Sequence, residues 1–407
     1  MKVTAPKRRD MKIIWSSNAV FSNSGYGVFS RDLLFRMLRD GWQVAQTANW
    51  GVQGYPVYLH GEDLIDDRFK GLKLKVYPTM ADPFGTDGLL EHGRDFGANV
   101  HFVMLDMQTQ NPQILSQIKN LIPYAPVDKS PAPMQVVDRF RFANRIITFS
   151  KFGKETLADA GFTSRLILEG TDTELLKPKD KKEMRAKFGL PPDVFLFGMI
   201  AANKENPPRK GFQEALEAFK LFSEKHPNSA IFFHSQQMNP GGFPIQEYGK
   251  QLKISDKCWF INPYVGVFKS DSHTVAEEMS CFDVLLHPSQ TEGFGLTVVE
   301  AASCGVPAIV NDCTSMPEMI IPGKTGEICK SGVKMFTNDL SFSHRADVQS
   351  LYEKMEVLFD KLSKPNTIAK DCRDHVIANY NIETLYETYW KKLLEELQEE
   401  FVPVGPK

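Results

Sequence analysis

No apolar run in this sequence is long enough to span a membrane. The stretch Met1–Asp10 is polar and basic and lacks the apolar core of a signal peptide. It is expected to be a flexible leader before a domain that begins at Met11. Cysteine is scarce. There are 6 in 407 residues, at positions 258, 281, 304, 313, 329 and 372, none in Cys-x-x-Cys spacing. That excludes a disulfide framework and a zinc ribbon and fits small core residues in a reducing, cytoplasmic compartment. Net charge is only -2, so no strong basic field draws in nucleic acid or anionic membrane, although a local basic patch is left open. Asp-x-Asp is absent, and no His, Cys or Asp cluster has ligand spacing, so no metal is expected. Repeats and low-complexity tracts are absent too.

What is present is an ordinary globular composition, 42% hydrophobic and 24% charged, at a length that suits two domains. The most informative stretch is His287–Val310. A strand over Val284–Leu286 leads into a loop with glycines at 293 and 295, then a short helix, then an apolar strand at Ala308–Val310. Helix starts leave backbone N–H groups without intrahelical partners and favour anions. Glu292 and Glu300 flank that start. Two carboxylates would repel a bare phosphate, but they suit a sugar nucleotide whose hydroxyls they can accept from. The plainer alternative is a buried turn with a solvated Glu on each side.

Glu292 and Glu300 with seven residues between them, followed by Ala301-Ala302-x-x-Gly305-x-Pro307, resemble the signature of retaining GT-B glycosyltransferases of the family-4 type, the glycosyl transferases group 1. The resemblance implies an α/β GT-B fold. Two Rossmann-like doubly wound domains would face a central cleft, and the C-terminal helix would cross back to the first. It places Glu292 by the donor sugar, presents the backbone of Phe294, Gly295 and Leu296 to the diphosphate, and puts Glu300 on the ribose.

Along the chain, Lys12–Trp15 reads as a first strand, followed by a glycine loop at Gly25 and Gly27 and a helix over Val28–Asp40. The resemblance implies that Gly25 and Gly27 let the backbone approach the donor phosphate or the acceptor. Residues 48–62 read as a long irregular loop. Strands are expected at Lys73–Tyr77, Val100–Leu105 and Leu121–Asp128. Asp106 and Asp128 follow strand ends, where side chains reach a ligand crevice, and are acceptor-side candidates. Asp106, the proposed catalytic partner of Glu292, stands where family members often carry a His. His101, inside its strand, reads as a core histidine.

The interdomain linker is expected at 179–192, between a first domain at 11–178 and a second at 193–380. A final amphipathic helix at 381–407 would pack on the first. In the second domain, strand Phe195–Ile200 leads to a loop Asn203–Gly211 and a helix Phe212–Lys225. The resemblance implies an Arg and a Lys here that bind the donor diphosphate. Lys210 matches the Lys. The usual Arg position falls in the Asn203-Lys204-Glu205 region, with Arg209 or Lys204 as replacements, so Asn203 and Arg209 join the donor-binding candidates.

The function so implied is metal-independent, retaining transfer of a sugar from a nucleotide-diphosphate donor to an acceptor hydroxyl, with no cofactor. A sugar-nucleotide epimerase or a non-catalytic binder is the alternative. The acceptor is left open among a glycan, a lipid, a protein and a modified nucleic acid. Peripheral membrane contact is compatible with that list.

Overall fold

The structure is a computed structural model and describes residues 9–237, 239–268 and 271–402. The chain forms two compact units. Unit 1 comprises Met1–Val127, Pro131–Gly170 and Ile382–Lys407, and unit 2 comprises Asp128–Ser130 and Thr171–Asn381. Among the described residues no helix is long and apolar enough to cross a membrane.

Unit 1 is built on six strands: β1 (Lys12–Asn18), β2 (Gln43–Asn49), β3 (Val57–His60), β4 (Lys73–Tyr77), β5 (Val100–Val103) and β6 (Leu121–Pro123). Their order is β3-β4-β2-β1-β5-β6, parallel except for the antiparallel edge strand β3. The direction of winding reverses between β1 and β5, which makes their carboxyl ends the crevice of this sheet. A short parallel pair, β7 (Ile147–Thr148) and β8 (Arg165–Leu166), completes the unit. The C-terminal helical run from Ile382 to Phe401 packs in this unit. Trp390 on that run sits 5.9 Å from Trp15, 6.1 Å from Phe102 and 5.0 Å from Tyr124, ring centre to ring centre.

Unit 2 carries a second six-stranded sheet, fully parallel: β9 (Phe195–Ile200), β10 (Ser229–His234), β11 (Cys258–Phe260), β12 (Val284–His287), β13 (Ala308–Asn311) and β14 (Gly326–Cys329). The order is β11-β10-β9-β12-β13-β14, so winding reverses between β9 and β12. Both strands are nearly continuous apolar runs, as befits a sheet covered on both faces. Their core is Phe197, Phe219, Phe222, Val284 and Leu286 with Leu351 and Met355 from the helix Val348–Leu362. An antiparallel hairpin, β15 (Ser331–Phe336) and β16 (Phe342–Ala346), follows. All six cysteines are free and buried.

Several expectations need correction. Gly25 and Gly27 do not form a loop. They lie in the first turn of the helix Gly25–Arg39, whose N-cap Ser24 accepts from the Gly27 N–H. A Cβ on Gly27 would meet the Ala19 carbonyl oxygen at 2.6 Å, so this glycine allows the helix to approach the β1 exit closely. Residues 48–62 are not wholly irregular, since β3 pairs with β4 there. The stretch 179–192 is not a linker. Its helix Lys181–Lys187 is capped by Asp180 and belongs to unit 2. Arg185 on it is buried and donates to the carbonyls of Cys281, Pro192 and Val194 and to Asp283. The unit boundary falls at Gly170 and Thr171, not at 178. Residues 1–8 of the expected leader lie outside the described residues, as do 403–407 of the tail. Arg9 is already anchored, its guanidinium 4.9 Å from the Trp42 ring and 3.2 Å from Glu395.

Candidate functional site

The carboxyl ends of β9 and β12, at the switch point of unit 2, carry two loops that are fastened to each other. The Gln290 N–H donates to the Arg209 carbonyl at 2.8 Å, Gln290 Nε2 to the Pro208 carbonyl at 3.2 Å, and an Arg209 guanidinium nitrogen to the Thr291 carbonyl at 2.6 Å. Gly211 makes the join tight. It has φ +74°, and a Cβ there would lie 2.2 Å from the Pro288 carbonyl oxygen. The conformation and the space both require glycine.

This fastening delivers Lys210 to Glu292. Lys210 Nζ lies 2.5 Å from Glu292 Oε1, and Arg209 lies 3.6 Å from Glu292 Oε2. His287 Nε2, at the end of β12, is 3.3 Å from Oε1. Burial alone would raise the Glu292 carboxyl, but Lys210 and Arg209 outweigh it and hold the group well below the usual carboxylate range. Burial lowers Lys210 from its ordinary value, against the pull of Glu292. Arg209 also pairs with Glu205 at 3.4 Å, so two cations are matched by two carboxylates, and Glu292 is held in ion pairs and does not face a phosphate as a bare charge.

The backbone beyond Glu292 is held as firmly. Its N–H donates to Thr314 Oγ1 at 3.1 Å, and Ser315 Oγ donates to the carbonyls of Glu292 and Phe294 at 2.8 and 2.7 Å. The buried Phe294 ring packs edge-on against Tyr380 at 5.9 Å. Gly295, at φ +115°, is the N-cap of the helix Leu296–Ser303, and no side chain caps that terminus. The helix start is thus offered to an outside acceptor of hydrogen bonds. Glu300 lies one turn into the same helix, half-buried.

Glu292, Lys210, Arg209, Phe294, Gly295, Leu296 and Glu300 therefore share one strand-end edge of unit 2. Asn203 is on the same loop but its amide is committed elsewhere. It accepts from the Phe243 N–H at 2.7 Å and donates to the carbonyls of Gln236 and Phe243 at 3.0 and 2.7 Å. It shapes the loop after β10 and is not placed as a ligand-binding amide, which corrects the donor-binding expectation. Asp128, expected on the acceptor side, groups with unit 2, where Thr291 Oγ1 is 3.5 Å from its Oδ2. Asp106 stays in unit 1 at the β5 exit and accepts from the Tyr26 hydroxyl at 3.1 Å. Gly25 and Gly27 are in unit 1 as well.

Sequence reasoning overlooked His287, Thr314 and Ser315. The signal for His287 was available, since it ends a strand that faces the motif. Thr314 and Ser315 carry no motif and become relevant only through hydrogen bonds to the Glu292 backbone. His234, ending β10, also went unassigned. It lies 2.7 Å from the buried Glu278. Burial pulls His234 down, yet Glu278 outweighs that and raises it. Among the described residues no group of three or more His, Cys, Asp or Glu is placed to hold a metal ion.

Two units, each a doubly wound α/β layer with a loop-lined switch point, define a GT-B protein. Among solved structures, sucrose-phosphate synthase from Thermosynechococcus elongatus matches with a TM-score of 0.75 at 17% identity, over 96% of this chain and 100% of that one. The Anabaena protein HepE, in complex with UDP-glucose, matches at 0.67 and 17% over 95% and 100%. Residues 180–342, all within unit 2, match the family model for glycosyl transferases group 1. The D-inositol 3-phosphate glycosyltransferase of Stackebrandtia nassauensis is 26% identical over 164 residues, 39% of this chain and 35% of that protein. The N-acetyl-alpha-D-glucosaminyl L-malate synthase of Bacillus anthracis is 39% identical over 88 residues, 22% and 21% respectively. The match thus spans about a third or less of these curated relatives.

Proposed function

We propose that the protein transfers a sugar from a nucleotide-diphosphate donor to an acceptor hydroxyl, with retention and without a resident metal. The observation that carries this reading is the Lys210–Glu292–Arg209 constellation beside an uncapped helix start. The bond between the anomeric carbon and the leaving phosphate oxygen breaks, and a bond from the acceptor oxygen to that carbon forms. The acceptor proton passes to the leaving phosphate. Charge growing on the diphosphate is met by Lys210, Arg209 and the N–H groups at Phe294, Gly295 and Leu296. A charge-assisted hydrogen bond contributes about 1.5–3 kcal/mol and a helix terminus about 0.3–2 kcal/mol. Glu292 positions the sugar, and Glu300 accepts from the ribose hydroxyls. Asp106 in unit 1 is the acceptor-side partner. Retention is taken from the family resemblance. The UDP-glucose complex of HepE supports a nucleotide-sugar donor.

The test is a thermal-shift screen of uridine, guanosine and adenosine diphosphate sugars, with and without EDTA, followed by NMR of the product anomer. One nucleotide series should stabilise the protein whether or not EDTA is present. Stabilisation by none, or donor turnover without any acceptor, would sink the transfer reading.

A further inference from the structure

The carboxyl edge of the unit 1 sheet exposes a row of large apolar side chains. Phe21 follows β1, Trp50 and Tyr55 follow β2, and Met80 and Phe84 follow β4, with 41, 61, 88, 42 and 46% of their surfaces exposed. Singly exposed aromatics are ordinary. These are brought to one edge by bonds between their loops. The Ala19 N–H donates to the Asn49 carbonyl at 2.9 Å, and the Thr79 N–H to the Val52 carbonyl at 2.9 Å. Val57 pairs with Val76 in antiparallel register, so Tyr55 lies beyond the end of β4.

The edge is also held rigid. Buried Asn49 and Gln110 both donate to the Phe84 carbonyl, at 3.0 and 3.3 Å, and Asp82 accepts from the Phe84 N–H at 2.8 Å. Asp87 accepts from the N–H groups of Ala81 and Asp82 at 3.0 and 2.9 Å. Both polar groups of the Phe84 backbone are therefore pinned while its ring faces out. Trp50 has φ +50°, a left-handed conformation that costs a bulky residue about 1–2 kcal/mol. A polar depression of about 490 Å³, lined by residues that include Asp82, Asp87, Gln108, Asn111 and Arg139, shares Asp82 and Pro83 with this edge. Arg139 is 3.1 Å from Asp138 and donates to the Gln110 carbonyl.

We infer that this edge binds a neutral carbohydrate, and that this carbohydrate is the acceptor. Rigid aromatic faces suit the C–H faces of a pyranose, and carboxylates and amides suit its hydroxyls. The loops 19–27, 49–56 and 78–87 contain two aspartates and no lysine or arginine. Nucleic acid and anionic membrane are bound through lysine and arginine on their phosphates, which these loops do not offer. Only the word acceptor rests on the transfer reading; the binding surface does not.

The experiment titrates the full chain with neutral oligosaccharides of glucose, galactose, mannose and N-acetylglucosamine, by calorimetry and saturation-transfer NMR. At least one should bind. Trp50→Ala and Phe84→Ala should each weaken it about tenfold, as loss of a stacked aromatic does. Trp50→Phe should keep most of the affinity, and nucleotide affinity should not move in any variant. No binding across the panel, equal binding by the alanine variants, or aromatic-dependent binding of single-stranded DNA or phosphatidylserine vesicles instead would overturn the inference. Oligosaccharide binding with no response to any nucleotide sugar would sink the transfer reading and leave this one standing. Nucleotide response without oligosaccharide binding would do the reverse.

Discussion

The strand ends of the two sheets are equipped in opposite ways. In unit 2 the loops after β9 and β12 concentrate charge. Lys210 and Arg209 each lie within 3.6 Å of Glu292, beside an uncapped helix. In unit 1 the loops after β1, β2 and β4 carry aromatic surface and no cation. The same sheet topology therefore presents one edge suited to anions and one suited to a neutral, flat-faced ligand. A charged site must be balanced internally before any ligand arrives, so it leaves ion pairs in the structure. An apolar site needs only rigidity, so it leaves pinned backbone.

The sharpest way to break this contrast is Lys210→Ala. It leaves Glu292 in a buried site with only His287 at 3.3 Å and Arg209 at 3.6 Å, and removal of one partner of a buried pair costs about 3–5 kcal/mol. We expect a loss near the lower end in urea unfolding, together with loss of nucleotide-sugar affinity by calorimetry. Lys210→Met combined with Glu292→Gln should recover much of the stability and none of the affinity. Wild-type stability in Lys210→Ala would show that the pair does not hold the loops.

Acid titration separates the two units next. Burial lowers His101 in β5 to about 4, and its Nδ1 is buried without a hydrogen-bond partner. An unfolded histidine takes a proton near pH 6.5. Between pH 6.5 and 4 the unfolded state binds the extra proton, so stability is full above that window and falls on acidification through it. The loss amounts to about 3 kcal/mol at most. His101→Leu should flatten the slope between pH 6.5 and 4. Glu292 has the same sign in a lower window. Its contribution is complete above the ordinary carboxylate value of 4.5 and fades as pH falls toward the depressed folded value. Glu292→Gln should thus lower stability across the plateau above about pH 4.5 and change the slope of the curve only below it. Stability of Glu292→Gln equal to wild type at pH 6, or a slope difference between the two near pH 6, would contradict this assignment.

A smaller effect is expected for Glu300→Ala, about tenfold in nucleotide-sugar affinity, equivalent to one hydrogen bond from a charged group. Unaltered affinity would remove Glu300 from the site. Smallest is Ser24→Ala in unit 1, where loss of the N-cap should cost about 1 kcal/mol of stability in thermal unfolding. It should leave nucleotide affinity unchanged.

How much of this was legible follows from the same contrast. Strands Lys73–Tyr77 and Phe195–Ile200 and helices Phe212–Lys225 and Val348–Leu362 stand within a residue of where periodicity puts them. The loops that bring Lys210 to Glu292 could be picked out because glycines and charges mark them. The helix Thr86–Phe96 could not. It contains Gly88 and Gly93, where a Cβ would meet Thr47 Oγ1 at 2.7 Å and His101 Nε2 at 2.5 Å. Packing demands those glycines, and they hide the helical pattern. The helix Lys181–Lys187 reads as a charged linker because its anchor is Arg185, buried by hydrogen bonds to carbonyls and Asp283. The aromatic edge of unit 1 has no spacing to recognise. The loops that carry Phe21, Trp50 and Phe84 are joined through Asn49, whose carbonyl accepts from Ala19 and whose amide donates to the Phe84 carbonyl.

The chain passes from unit 1 to unit 2 at Gly170 and returns at Ile382. A ribosome therefore finishes unit 2 before unit 1, although unit 1 begins first. Until Trp390 emerges, the rings of Trp15, Phe102 and Tyr124 lack the neighbour that lies 5.0–6.1 Å from each of them. Domains made in sequence ordinarily fold in sequence. Here the earlier-born half must wait, incomplete, for the last segment to close it.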